Sequence, residues 1–395
     1  MRIGLYHGYE LVGSGSNEYT RYISRALALL GHEVHVFCRE PEPERIPHLS
    51  RAVAWDSVGA SQELFVRTLD STCVVHQLPH GEIRPVYITD QPRKGRVKPF
   101  TVLSDAELDD FHSFSLATLR AALDAYRRRA DVSGPFARAA IGVAGPVTED
   151  GATLTNCDWD LSLAAIREAI GGGEAVLVND FTALALSLPV LGKRDLRKLG
   201  GGEPVSDAAR AVLGPGTGLG VSGLVPDGGG GFVPVSGEGG HVDLAGANPR
   251  EMTILARLME RFEHVSAECV LSGPGLRTLY EILAELAGIA ETESVRPEDI
   301  ARSAATMESP IAVETVSLFT RWLGAVAGDL ALTLGARGGV YLAGGIVNQW
   351  GSNFDAALFR EGFEAKGRFR DYLARIPTWV ITDPFPAFKG LATLV

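Results

Sequence analysis

No apolar run in this chain of 395 residues approaches the ~18 to 20 that a membrane span requires, so no membrane partner is expected. Basic charge is also in short supply: 37 Lys and Arg against 48 Asp and Glu leave a formal net charge of −11. Nucleic acid, whose phosphates need a basic face, is thereby excluded as a partner. The one dense basic run, Arg127-Arg128-Arg129, reads as a solvated helix end, where cations complement the helix dipole. Cysteine is scarce, with Cys38, Cys73, Cys157 and Cys269 far apart and without C-x-x-C spacing. That argues against both a disulfide framework and a thiolate zinc site. The start, Met1-Arg2-Ile3-Gly4-Leu5-Tyr6, passes directly into a strand pattern with no charged and apolar leader, which points to the cytoplasm. Internal repeats and low-complexity tracts are absent. What remains, 46% hydrophobic and 22% charged residues, is the composition of a soluble globular protein with room for two or three domains.

The N-terminal hundred residues read as an α/β unit. Residues 2–6 and 34–38 have strand patterns, and between them Ile23, Leu27 and Leu30 repeat at helical spacing before Gly31. The connecting loop, Gly13-Ser-Gly-Ser-Asn-Glu18, begins like a dinucleotide-binding turn but has Glu18 where the third glycine belongs. Even with Glu40 at the end of the second strand, the nicotinamide or flavin signature is weak.

From about residue 112 strands and helices alternate to the end of the chain. Ser115 is a plausible cap for a helix with Leu116, Leu119, Leu123 and Tyr126 on one stripe. Residues 137–143 are expected to form a buried strand running into Gly145-Pro146. Glu174-Ala-Val-Leu-Val178 is a short β-branched and apolar run expected to deliver Asn179-Asp180 to its C-terminal end, where open α/β sheets bind ligands. The stretch Leu213-Gly-Pro-Gly-Thr-Gly-Leu-Gly220 is a glycine turn able to wrap phosphates in backbone N–H groups. Gly237-Glu-Gly-Gly-His241 and Ser266-Ala-Glu268 then supply acid and imidazole groups suited to sugar hydroxyls. Pro226-Asp-Gly-Gly-Gly-Gly231 reads as a hairpin tip. A long helix is expected over residues 311–337, followed by a strand over 339–343 and the pair Gly344-Gly345, where a ligand can approach the backbone. The chain is expected to end inside a helix begun near Ala387.

Two resemblances follow from these motifs. His7-Gly-Tyr-Glu, Gly13-Ser-Gly-Ser-Asn-Glu-Tyr-Thr-Arg21, Gly31-His-Glu-Val-His-Val36, Cys38-Arg-Glu40, His76-Gln-Leu-Pro-His80 and Arg84-Pro-Val-Tyr-Ile88 resemble the N-terminal domain of retaining family-4 glycosyltransferases of GT-B fold. The second, donor-binding domain of that family and its E-x7-E element have no counterpart here, so this segment reads as a Rossmann-like scaffold. The remainder resembles the bacterial ATP-dependent glucokinases of the actin-like (ribonuclease H-like) hexokinase superfamily. It does so through Gly142-Val-Ala-Gly-Pro-Val147, Leu154-Thr-Asn156, Val178-Asn-Asp-Phe181, the 213–220 turn, Glu238-Gly-Gly-His-Val-Asp243, Val265-Ser-Ala-Glu268, Leu271-Ser-Gly-Pro-Gly275 and Leu342-Ala-Gly-Gly-Ile346, in the family's order. The expected division is residues 1–110 for the glycosyltransferase-like α/β segment and 111–395 for the glucokinase-like domain.

The second resemblance implies ATP-dependent phosphorylation of glucose or a related hexose to its 6-phosphate, with Mg2+, and a homodimer is a further expectation. It assigns Asp180 as the base that takes the sugar hydroxyl's proton. Asn179, Glu238, His241 and Glu268 match the sugar-binding set, Gly214, Gly216, Thr217 and Gly218 the second phosphate loop, and Gly344 and Gly345 the adenosine loop. No metal ligand is assigned on the protein. Each residue has a plainer alternative: Asp180 as a helix cap, His241 as a core histidine, Glu238 and Glu268 as surface charges. Cys269 stands where the family commonly has arginine, which bears on how Glu268 is oriented. The family's opening D-x-G-G-T/N hairpin, its first phosphate loop, is absent from all 395 residues. Low turnover is therefore expected, and a glycosyltransferase fragment or a non-catalytic sugar-binding protein are the rival functions.

Overall fold

The computed structural model describes residues 2–6, 21, 24, 25, 28, 29, 33–38, 42–55, 61–69, 71–77, 83–86, 96–99, 137–153, 160–289 and 295–395. The 110/111 boundary lies outside the described residues, as do the loop of residues 13–18, Ile23, Leu27, Leu30, Glu40, the helix capped by Ser115, Arg127 to Arg129, the 154–156 motif and Cys157. The chain divides into two compact units, residues 1–178 with Val395 and residues 179–394.

The first unit contains a five-stranded sheet of β1 (Arg2–Tyr6), β2 (Glu33–Cys38), β3 (Arg51–Trp55), β4 (Ser61–Val66) and β5 (Cys73–Gln77), in the order β1-β2-β5-β3-β4. All neighbours are parallel except β3 and β4. A parallel pair needs a crossover, and Arg21, Ser24, Arg25, Ala28 and Leu29 are helical between β1 and β2. Val34, Val36, Cys38, Cys73 and Val75 are wholly buried. Burial pushes the Cys73 thiol up to about 12, against a weaker opposing hydrogen bond from Ser24. Such a thiol stays protonated and inert.

Later in this unit β6 (Ile83–Val86) pairs with β7 (Arg96–Pro99), β9 (Gly151–Thr153) with β10 (Asp160–Ser162), and β8 (Arg138–Val143) with β11 (Glu174–Asn179). The expected buried strand over 137–143 needs correction: in β8 only Val143 is buried. Among the described residues β8 has one neighbouring strand. Its cover is a small cluster of Val143, Ala152, Ala175 and Leu177 with Ile166 and Ile170, residues in and just beyond helix α1 (Leu163–Ala169).

The second unit is built on a six-stranded sheet of β12 (Leu196–Gly200), β13 (Arg210–Pro215), β14 (Leu219–Pro226), β15 (Phe232–Ser236), β16 (Val340–Leu342) and β17 (Thr378–Ile381). The order is β12-β17-β16-β13-β14-β15, with β17, β16 and β13 parallel and the other neighbours antiparallel. The period-2 alternation of strands sends Val212, Tyr341 and Ala343 to one face, where they pack on Leu184, Ala185 and Leu188 of helix α2 (Asp180–Ser187) and its C-cap. Ala211, Leu213, Val340 and Leu342 point the other way into the main core. That core holds Ile254 and Leu258 of α3 (Pro249–Met259), Leu279 and Leu283 of α4 (Gly273–Leu286), and Phe319, Trp322 and Leu323 of α5 (Pro310–Leu334).

Helix α5 starts as its sequence dictates, with the Ser309 hydroxyl accepting from Ala312 N and Pro310 in the first turn. It stops three residues short of the expected Arg337 because Gly335 adopts a left-handed φ of 63°, the usual way a helix closes. At the expected hairpin tip, the Asp227 carboxylate accepts from Gly229 N at 2.7 Å and Gly231 N at 2.9 Å. No described helix is long and apolar enough to cross a membrane.

Candidate functional site

The residues expected to do chemistry that are described all lie in the second unit. Strand β11 ends at Asn179, which caps α2: its side-chain oxygen accepts from Phe181 N at 2.9 Å and Thr182 N at 3.2 Å. The cap is therefore Asn179 and not Asp180, which occupies the first helical position and accepts from Phe181 N at 2.9 Å through Oδ1. Asp180 is exposed at its surface, yet the protein around its carboxyl costs it hydration and raises its pKa above the ordinary aspartate value. The Glu238 charge adds in the same direction, while the Phe181 N–H and the Asn179 side chain oppose it.

The two glycine segments leave the sheet at the same end because β13 and β16 run parallel, with Leu213 opposite Leu342. Ala343 N donates to Leu213 O at 2.9 Å, and a Cβ on Gly214 would stand 2.8 Å from the Ala343 carbonyl carbon. Gly344 has a φ of 89° and lies against the Pro215 carbonyl, a place and conformation closed to other residues. Gly216 and Gly345 differ: a Cβ there would meet nothing within 4 Å, so each has open space on its side-chain face. Gly216 N donates to Gly218 O at 2.8 Å, which closes the turn, and Gly273 N donates to Gly216 O at 2.8 Å, which ties it to the start of α4. The N–H groups of Thr217 and Gly218 have no acceptor among the described residues, and Thr217 is exposed. These two are the turn's open backbone donors, groups of the kind an anion can occupy.

The acid and imidazole groups sit on two short 3-10 turns, Gly239–His241 and Ala267–Cys269. An antiparallel bridge between Asp243 and Ser266 joins them, with Leu244 N bonded to Val265 O at 3.1 Å and Ala267 N to Val242 O at 2.9 Å. That pairing sets His241 Nε2 3.9 Å from Glu268 Oε1, too long for a hydrogen bond and too close for an oxygen between them, so one hydroxyl can touch both groups only from beside the pair. Glu268 Oε2 accepts from Leu219 N at 2.6 Å, so the carboxylate touches the glycine turn itself. His241 keeps 51% of its side chain exposed, which sets aside the core-histidine alternative. Glu268, at 32%, is anchored and is not a free surface charge. Glu238 is exposed, and its carbonyl accepts from His241 N at 3.0 Å. The Cys269 thiol faces Ser266 Oγ at 3.4 Å and the His264 carbonyl at 3.6 Å, so Leu219 N and not residue 269 orients Glu268.

Sequence reasoning missed three participants. The Leu219 and Gly273 N–H groups are backbone donors and carry no side-chain signal, and Phe181 looked like an ordinary apolar helix residue although its ring fills the space over Gly220. A separate cavity of about 350 Å³, lined in part by Val242, Trp322, Val326 and Leu330, reaches Gly239 from behind. Charged groups on its rim pair with one another, Arg321 with Glu361 at 3.1 Å and Lys366 with Asp329 at 2.7 Å.

Parallel strands that release two touching glycine segments, beside a turn that shares a carboxylate with an imidazole, are the framework of a mixed α/β sugar kinase. Solved structures agree. A glucokinase from an Antarctic psychrotroph matches with a TM-score of 0.64 and 33% identity over 70% of this chain and 85% of its own. A Balamuthia mandrillaris glucokinase in complex with glucose matches in fold, with a TM-score of 0.59, 21% identity, and 71% and 82% covered. The chain belongs to the glucokinase family, whose model matches residues 96–395. The glucokinase of Aromatoleum aromaticum is 50% identical over 255 residues, 65% of this chain and 76% of the relative. That of Paramagnetospirillum magneticum is 48% identical over 256 residues, 65% and 79%.

Proposed function

We propose that the chain transfers the γ-phosphoryl group of ATP to the 6-hydroxyl of glucose, giving glucose 6-phosphate and ADP. The single observation that carries this reading is Glu268, whose carboxylate faces His241 on one side and holds the glycine turn on the other. Glu238, His241, Glu268 and Asn179 bind the sugar. Asp180 takes the hydroxyl proton as that oxygen meets the γ-phosphoryl group, a task helped by a pKa above the ordinary aspartate value. The turn carrying Gly214, Gly216, Thr217 and Gly218 receives the phosphates, and Gly344 and Gly345 the adenosine.

Mg2+ travels with the triphosphate in this reading and neutralises charge on the transferred group. An ion of this kind is held by phosphates and one or two carboxylates. The same reading includes an actin-like arrangement of the kinase part, a cytoplasmic setting, and residues 1–110 as a GT-B-like α/β segment. Support for the last is the parallel order of β1, β2, β5 and β3 with a helix after β1.

The test is calorimetric titration with glucose, with and without ATP, alongside an assay for glucose 6-phosphate. The reading expects binding and product. Binding without product would make the chain a sugar-binding protein. No glucose binding, with turnover of a nucleotide sugar instead, would favour the glycosyltransferase alternative.

A further inference from the structure

Glu268 makes two kinds of contact that belong to different ligands. Its Oε1 lies 3.9 Å from His241 Nε2 beside the place assigned to the sugar, and its Oε2 accepts from Leu219 N at 2.6 Å. Leu219 directly follows Thr217 and Gly218, whose N–H groups are the turn's open donors. Three further features hold the carboxylate against the turn. A Cβ on Gly218 would stand 3.1 Å from Glu268 Cδ and closer still to Oε2, so a side chain there would push the carboxylate off the loop. The Ser272 hydroxyl donates to the Glu268 carbonyl at 2.9 Å, and the neighbouring Gly273 N donates to Gly216 O at 2.8 Å. The turn is thus clamped at both ends by the segment that carries Glu268.

We propose that Glu268 is the positioning residue through which the sugar and the nucleotide's phosphates sense one another. The proposal rests on the kinase reading and adds to it a route of coupling inside one compact unit. A sugar hydroxyl donating to Oε1 holds the carboxylate in one orientation. Oε2 then holds Leu219 N–H, and residues 216–219 keep the shape that phosphate oxygens need. Because binding free energies are linked, phosphates that order the turn tighten sugar binding by the same factor.

The experiment uses the full chain, with ADP as the phosphate probe and glucose as the sugar, both followed by calorimetry. For the native protein, saturating glucose should raise ADP affinity roughly 5-fold or more, and saturating ADP should raise glucose affinity by the same factor. Glu268→Ala should weaken ADP binding to the sugar-free protein, a readout that a pure sugar ligand would not move, and should bring the coupling factor to about 1. Gly218→Ala removes no sugar-binding side chain but pushes the Glu268 carboxylate off Leu219 N. It should weaken ADP binding to the sugar-free protein and abolish coupling, and native coupling in this variant would overturn the inference, which keeps the test decisive should Glu268→Ala fail to fold.

A Glu268→Ala protein that loses glucose affinity yet keeps native ADP affinity and coupling would overturn the inference and leave the kinase reading standing. A native coupling factor of 1, or no ADP binding at all, would overturn it too. If the native chain binds no glucose, the kinase reading falls. The sugar-free ADP measurement on Glu268→Ala still decides whether the carboxylate positions the turn.

Discussion

Gly220→Ala tests whether Asp180, the proposed base, is held in place by the sheet beneath it. An added Cβ would lie 2.5 Å from Phe181 Cγ and nearer still to Cδ2 and Cε2. Carbon atoms rest about 3.5 to 4.0 Å apart, so ring or strand must give by at least about 1 Å. Strand β14 is pinned on both sides by β13 and β15, and Phe181 packs against the cluster of Leu184, Val212 and Leu224. The displacement therefore falls on the first turn of α2, where Asp180 is the adjacent residue. Overpacking of this kind costs about 1 to 3 kcal/mol, and a catalytic group misplaced by about 1 Å costs on the order of 10² in rate. The expected result is a lower melting temperature with a roughly 100-fold fall in kcat, read by a coupled assay for ADP. Glucose affinity, carried mainly by the 238–241 and 268 turns, should change far less. A variant with native melting temperature and native kcat would refute the reasoning, because the ring would then move without carrying Asp180.

Asp180→Asn should lower kcat by about 10² to 10⁴ with little change in glucose affinity, since an amide cannot take the proton. In the native enzyme the acid limb of kcat/KM should lie above the ordinary aspartate value, as desolvation and Glu238 direct. Because the folded pKa is raised above the unfolded one, ionised Asp180 destabilises the fold at neutral pH, and that cost disappears as pH falls below the ordinary aspartate range. Asp180→Asn should thus melt higher than the native protein at pH 7, with the gap closing in acid. Exchanging residues 1–110 for a glucokinase segment that carries D-x-G-G-T should raise kcat by orders of magnitude, because phosphoryl transfer depends on positioning and charge neutralisation. A native chain already turning over at ~1 to 10³ per second would show that no such part is missing.

Side-chain patterns were legible in the sequence wherever burial follows from the residue's own strand or helix. The strand expected at 34–38 is β2, Glu33–Cys38, and the one expected at 174–178 is β11, Glu174–Asn179. The hairpin tip at Asp227 was legible because an aspartate before glycines makes its own turn. The stretch 137–143 misled because Ala, Ile and Val look buried, whereas burial also requires a neighbour on each side, a property of the sheet. At the site, residue types announced a carboxylate, an imidazole and a glycine turn. They could not announce that one oxygen of Glu268 is bound to Leu219 N, since any residue but proline offers the same N–H. The roles given to Asn179 divide for a similar reason: its amide suits a sugar hydroxyl, but the structure commits its oxygen to capping α2.

That commitment explains why the order Asn179-Asp180 matters and the composition alone does not. A helix N-terminus accepts Asn or Asp as cap with similar stability, so a swapped pair would cap α2 equally well. The swap would nevertheless put an amide at the first helical position, where Asp180 now stands. There two influences compete: N–H groups of the first turn favour the ionised carboxyl, while desolvation and the Glu238 charge disfavour it, and the second set prevails. A base needs both, ionised before the sugar arrives and basic enough to accept its proton. Asn179 takes the Phe181 and Thr182 N–H groups onto its own oxygen, and its side chain also lowers the Asp180 pKa, so it tempers the rise that desolvation imposes. The cap and the proposed base are therefore coupled: the residue that satisfies the helix also helps keep the neighbouring carboxyl ionised.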